Sequence, residues 1–175
     1  LIVPIRALQE LLRVLGDGGS KDLKVSFEEN QVLFNFDDVY LVSRLVEGQY
    51  PDYRKIIPEQ TGTQYVFDRN EMVQAVKMAS LFSKSGINDV KVEQSEEGLV
   101  VKSVNSQVGE NESVVSMSAS GDSVTTVFNW RYLLDGLGNI KSSKVELGVT
   151  SPEQPGVLKG VGQDDYLYLI MPIKQ

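Results

Sequence analysis

Tyr65-Val66-Phe67-Asp68-Arg69-Asn70-Glu71-Met72-Val73-Gln74-Ala75-Val76-Lys77-Met78-Ala79-Ser80-Leu81-Phe82 is the stretch on which the fold turns. Its first three residues prefer a pleated strand. Asp68 then offers the short acceptor of a helix N-cap, and Glu71 three residues on completes a capping-box pattern. Met72, Ala75, Val76, Ala79 and Phe82 recur at helical spacing and make one apolar stripe. Beyond it, alternating segments at Val90–Gln94, Leu99–Val104 and Ser113–Ala119 read as strands, with Glu97-Gly98 as a turn. The order is strand, capped amphipathic helix, then three strands.

The same plan recurs on both sides. Upstream, Pro4 suits a first helical turn, Ile5, Leu8, Leu11, Leu12 and Leu15 keep helical spacing, and Gly16 is the expected stop. Strands follow at Leu23–Phe27, Gln31–Phe36 and Val39–Val46, with turns at Glu29-Asn30 and Asp37-Asp38. Downstream, a strand at Ser123–Phe128 leads to Asn129 as N-cap. Tyr132, Leu133, Leu137 and Ile140 are expected to face inward, before strands at Lys144–Thr150, Gly156–Val161 and Tyr166–Met171. Three copies of one unit, over about 1–58, 63–120 and 122–175, predict an α+β fold of repeated β-α-β-β-β units. The polar run Glu59-Gln60-Thr61-Gly62-Thr63 suggests a linker at 59–64. That leaves 1–58 as half of one domain and 65–175 as a second domain of two paired repeats.

Bulk properties narrow the function. At 175 residues and 41% hydrophobic content the chain can bury a core. It holds neither cysteine nor histidine, so thiolate chemistry and a proton-transfer group tuned near neutral pH are both missing. No apolar run reaches the roughly 18 residues of a membrane span. Leu1-Ile2-Val3 runs straight into Pro4 and Arg6, unlike a signal peptide. The chain opens on leucine rather than methionine, so we expect a piece of a longer protein.

Adjacent carboxylates at Glu28-Glu29, Asp37-Asp38, Glu96-Glu97 and Asp164-Asp165 all fall in expected turns. Solvent there removes the burial that paired acid–base catalysis needs. Gly16-Asp17-Gly18-Gly19-Ser20-Lys21 follows a helix and precedes a strand, the reverse of a phosphate loop. Ser83-Lys84 are helix neighbours that point to different faces. None of these supports a catalytic or metal-binding reading.

The net charge is −7, so DNA binding would require basic residues gathered on one face. Arg6 and Arg13 fall on the first helix, Arg69, Lys77 and Lys84 on the second, and Arg131 on the third with Lys141 just beyond. Composition alone also allows these to be ordinary solvated helix faces.

Two segments add a family resemblance. Leu41-Val42-Ser43-Arg44-Leu45-Val46-Glu47-Gly48-Gln49-Tyr50-Pro51-Asp52-Tyr53 resembles the signature stretch of the bacterial DNA polymerase III beta-subunit sliding clamps. Asp165-Tyr166-Leu167-Tyr168-Leu169-Ile170-Met171-Pro172-Ile173-Lys174 is similar to that family's tail. Phe128-Asn129 and Tyr132-Leu133-Leu134-Asp135 match its last helix in register.

The resemblance implies a DNA clamp fold, with antiparallel sheets outside and helices on an inner face. Residues 1–58 would be the C-terminal half of the middle domain and 65–175 the C-terminal domain. It implies a non-catalytic, cytoplasmic processivity factor without cofactor or metal, encircling duplex DNA irrespective of sequence. Arg6, Arg13, Arg69, Lys77, Lys84, Arg131 and Lys141 would face the DNA. DNA polymerase, clamp loader and repair proteins would dock through short peptides bearing a Gln and apolar anchors. Carried over by motif, Pro51, Lys55 and Ile56 would form one wall of that pocket, and Asn129, Tyr132, Pro155 and Gly156 another. Leu169, Ile170, Met171, Pro172 and Ile173 would form its floor. Leu81 and Phe82 would meet a second clamp subunit. The competing reading is a repeat scaffold that binds proteins but not DNA.

Overall fold

The computed structural model describes residues 1–18 and 22–174. It divides into two compact units, Leu1–Asp52 and Tyr53–Gln175.

The first unit is one helix on one sheet. Helix α1 (Ile5–Gly18) is followed by strands β1 (Lys24–Phe27), β2 (Gln31–Phe36) and β3 (Val39–Arg44), an antiparallel meander in that order. Alternation on β2 sends Val32, Phe34 and Phe36 to the helix side, where they form a small core with Leu11. The tight turn between β2 and β3 places Asp37 at φ 50°, a conformation Asp tolerates better than most residues. Two expectations fail here. The helix does not stop at Gly16 but runs to Gly18, because a single glycine costs a helix only about 1 kcal/mol and does not by itself end it. No strand precedes it among the described residues; Ile2 instead accepts a hydrogen bond from the Val46 amide at 2.8 Å. Of the glycine-rich stretch, Gly19, Ser20 and Lys21 lie outside the described residues.

The second unit contains two interlocked repeats. One repeat comprises β4 (Thr63–Asp68), α2 (Arg69–Ser80), β5 (Asp89–Gln94), β6 (Leu99–Asn105) and β7 (Gly109–Val115). The other comprises β8 (Met117–Ser120), β9 (Thr126–Asn129), α3 (Trp130–Asn139), β10 (Lys144–Val149), β11 (Gly156–Gly160) and β12 (Leu167–Ile170). Strand order is β12-β11-β10-β4-β8 in the five-stranded sheet and β7-β6-β5-β9 in the four-stranded one. The strand that leads into each helix therefore pairs with the other repeat's sheet, β4 on β10 and β9 on β5.

Matching backbone ties repeat the exchange. The first amide of α2, on Arg69, donates to Ser143 O, and that of α3, on Trp130, to Asn88 O, both at 2.8 Å. One core results, filled by Tyr65, Phe67, Met72, Leu99, Phe128, Leu133 and Leu158 among others. Both caps form as expected. Asp68 Oδ1 accepts from the amides of Asn70 and Glu71, at 2.9 and 3.1 Å. Asn129 Oδ1 accepts from that of Arg131 at 3.0 Å.

The single strand expected at Ser113–Ala119 is two. Val115 is buried and ends β7 in one sheet, Ser116 is exposed, and Met117 starts β8 beside β4 in the other. Residues 123–125, expected as strand, form a loop held by the Tyr65 hydroxyl, which accepts from the Val124 amide at 3.0 Å. Gly62, in the segment expected as a linker, donates its amide to Thr150 Oγ1 at 3.3 Å.

Candidate docking face and nucleic-acid interface

The last strand and the tail assemble most of the expected docking residues. Along β12, period-two alternation sends Leu167 and Leu169 to the outer face and Tyr168 and Ile170 to the core. The register aligns Leu169 with Val157 and Ile170 with Gly156. After Ile170 the chain crosses to the other sheet. Pro172 bridges to Phe128, and the Ile173 amide donates to Val127 O at 2.7 Å. Asn129 follows directly as the N-cap of α3, and Tyr132 lies in the first turn of that helix. Met171, at the crossing, is 61% exposed and Tyr132 57%.

Three assignments change. Ile170 is 1% exposed and part of the core, since its place on the strand points it inward. Gly156 is buried too. A Cβ there would meet Phe128 Cζ at 3.0 Å and Ile170 Cγ2 at 3.2 Å, so it leaves room for core side chains rather than lining a surface. Its neighbour Val157, opposite Leu169, points to the other side of the sheet, where it is 8% exposed; alternation along β11 was the signal that could have shown this. Tyr132, expected to face inward, is exposed, whereas Leu133 and Leu137 fill the core from α3.

Lys55 closes a short 3-10 turn (Tyr53–Lys55), and Ile56 just after it is 54% exposed. Pro155, directly before Gly156, is half-buried. Pro51 belongs to the first unit and is exposed.

The basic residues divide into two groups. Lys77, Arg131 and Lys141 are exposed on or beside α2 and α3, on the sides turned away from Met72, Val76, Leu133 and Leu137. The Arg131 guanidinium lies 5.1 Å from the centre of the Trp130 ring, a cation–π contact that leaves its charge in place. Arg6 is exposed on α1. Arg13, also on α1, is forked onto Glu10, with Nη2–Oε1 at 2.6 Å and Nε–Oε2 at 3.0 Å. That bond holds the Glu10 carboxyl below its ordinary range.

Arg69 is half-buried, and its guanidinium donates to the Ile140 carbonyl at the end of α3. Lys84 is not on a helix, because α2 ends at Ser80; it lines a groove with Asp89, Lys91 and Lys102 of β5 and β6. Leu81 is 68% exposed, whereas Phe82 is half-buried near Gly109 of β7. The adjacent carboxylate pairs are all exposed, and among the described residues no group of acidic side chains is arranged to hold a metal.

Comparison with known proteins agrees with this architecture. The beta sliding clamp of Staphylococcus aureus is 33% identical over 99% of this chain, which covers 46% of that protein. The Staphylococcus epidermidis clamp is 31% identical over the same shares. The chain thus spans about half the length of the curated relatives it matches. Among solved structures, the DNA polymerase III beta chain of Streptococcus pneumoniae TIGR4 superposes with a TM-score of 0.90 at 29% identity, covering 99% of this chain and 46% of that one. A sliding clamp from Bartonella birtlesii bound to griselimycin reaches 0.93 at 25% identity, covering 100% and 47%. Residues 1–52 match the family described as DNA polymerase III beta subunit, central domain, and residues 54–174 match its C-terminal domain. With both of its compact units accounted for in this way, the chain belongs to the DNA polymerase III beta subunit family.

Proposed function

We propose that this chain is part of a ring-shaped sliding clamp that surrounds duplex DNA and tethers polymerase, clamp loader and repair proteins to it in the cytoplasm. The work is mechanical rather than catalytic. A closed ring holds DNA by topology, so its contacts need only be weak, sequence-independent and cationic. Lys77, Arg131 and Lys141 supply such contacts from α2 and α3, with Arg6 on α1. A molecule with a net charge of −7 repels DNA elsewhere. Leu81 and Phe82 would contribute to a contact with a second subunit.

Clients dock on the face formed by Leu169, Val157, Met171, Tyr132 and the Pro172-Ile173 tail, with Lys55 and Ile56 as a further wall. Burying two apolar anchors yields about 1.5–3 kcal/mol each, and association costs offset part of this. Affinities of about micromolar follow, suited to clients that exchange. Methionine's flexible thioether adapts to differently shaped anchors.

The observation that carries the docking proposal is Met171. It is a large apolar side chain left 61% exposed where the tail crosses between the sheets. Its test is fluorescence polarisation with a peptide bearing a Gln and two apolar anchors. Met171→Asp should abolish binding without changing the circular dichroism spectrum; unchanged affinity removes the docking face. For the ring, protein loaded on circular duplex should be released when the circle is linearised. A scaffold that binds proteins but not DNA is the reading favoured by the internal engagement of Arg13 and Arg69; failure to load would support it, whereas retention after linearisation would remove the ring.

A further inference from the structure

The outer face of the five-stranded sheet carries a second feature beside the docking face. At Gly148 on β10 the sheet has no outward side chain. The segment from Pro58 to Thr61 folds over this gap, so that a Cβ at Gly148 would lie 2.6 Å from Thr61 Oγ1. A groove of about 420 Å³ remains alongside, floored by Val157 and Leu167. Its polar walls are Glu59, Gln64 and the pair Lys159–Glu146, whose Nζ and Oε1 stand 2.9 Å apart. Leu167 is 46% exposed and shares its face of β12 with Leu169, two residues nearer the tail. The groove is therefore continuous with the docking face.

Its chemistry is asymmetric. Lys159 is already matched by Glu146. The Glu59 carboxylate is exposed and meets no cation among the described residues. The site thus combines an apolar floor with one unneutralised carboxylate at its rim. A long cationic side chain suits both, laying its methylene stem on Val157 and Leu167 and its head group against Glu59.

We propose that this groove is an extension of the docking face that receives an arginine or lysine flanking the apolar anchors of a client peptide. The inference rests on the docking proposal and adds a determinant of client choice to it. The expected gain is several-fold in affinity, as for a part-exposed charge-assisted contact, and it should weaken with salt.

The test compares fluorescence polarisation of three synthetic anchor peptides on the whole chain, extended at either end by two Arg, two Ala or two Glu residues. The Arg-extended peptide should bind at least about fivefold more tightly than the Ala version from one end only. Glu59→Gln should erase that gain, and Glu59→Lys should transfer it to the Glu-extended peptide. Glu96→Gln, on a turn that lines no part of the groove, should leave it intact. An equal effect of Glu96→Gln and Glu59→Gln would mean general attraction to an acidic protein and would overturn the inference. Equal binding of all three extensions, with Met171→Asp still abolishing binding, would overturn the groove and leave the docking face standing. No binding by any peptide would remove both.

Discussion

Gly136 sits in the middle of α3, where the helix packs on β12. A Cβ there would lie 2.5 Å from Tyr168 Cδ1 and 3.1 Å from Leu158 Cδ1. Gly136→Ala should therefore destabilise the second unit by about 1–3 kcal/mol through overpacking, although alanine is the better helix former. Gly138 on the same helix has nothing within 4 Å of the same position; Gly138→Ala should raise stability by up to about 1 kcal/mol. Urea midpoints of the two variants should move in opposite directions. Tyr168 itself is held above the ordinary phenol range, first by burial and then by Asp135, Tyr166 and Tyr132. A raised folded pKa means the folded state keeps a proton that the unfolded state releases. Stability should be unaffected below pH about 10 and fall above it, and Tyr168→Phe should lessen that fall in alkaline urea titrations. At this scale the sequence is legible where a side chain has one job. Asp68 and Asn129 announce their caps, and Leu133 and Leu137 their core. Gly156 and Val157 were confused because motif matching can slip by one residue, and on a strand one residue is the other face.

Among the elements, α2 and α3 owe their starting points to those caps. Asp68→Ala and Asn129→Ala should each cost about 1 kcal/mol in thermal or chemical unfolding. Glu71→Ala, whose side chain is exposed, should cost less. Most strands were legible because one face of each is buried and alternation records it. The break at Ser116 was not, since Val115 and Met117 keep the same alternation on either side of a change of sheet. Nor does the spacing of cations reveal which are engaged. Arg69 and Lys77 are both on α2, yet Arg69 is committed to the Ile140 carbonyl of the neighbouring helix. The DNA-facing set was read from charge and helix membership, and neither specifies where a guanidinium hydrogen-bonds. On this basis Lys77→Glu should reduce the salt dependence of DNA affinity, whereas Arg69→Lys should chiefly lower unfolding stability.

Across the whole molecule, the two units differ in how completely they bury their apolar residues. In the first, Ile5 and Leu12 on α1 are 71% and 70% exposed, and among the described residues the buried cluster is Leu11, Val32, Phe34 and Phe36. In the second, two helices and two sheets share one larger core. Amide hydrogen exchange should show β2 opening at markedly lower free energy than β5 or β10. The repeat plan was legible because each copy announces a helix followed by strands, but the crossing of β4 and β9 into each other's sheets was not, since pairing partners leave no mark on a strand's own alternation. That crossing has a consequence for synthesis. As the polypeptide leaves the ribosome, β4 emerges early with one of its ladder partners, β10, not yet made, and the intervening helices and strands must appear first. The amino-terminal repeat is thus obliged to wait, partly open, until its sibling arrives, and the two should acquire protease resistance together in a single late step.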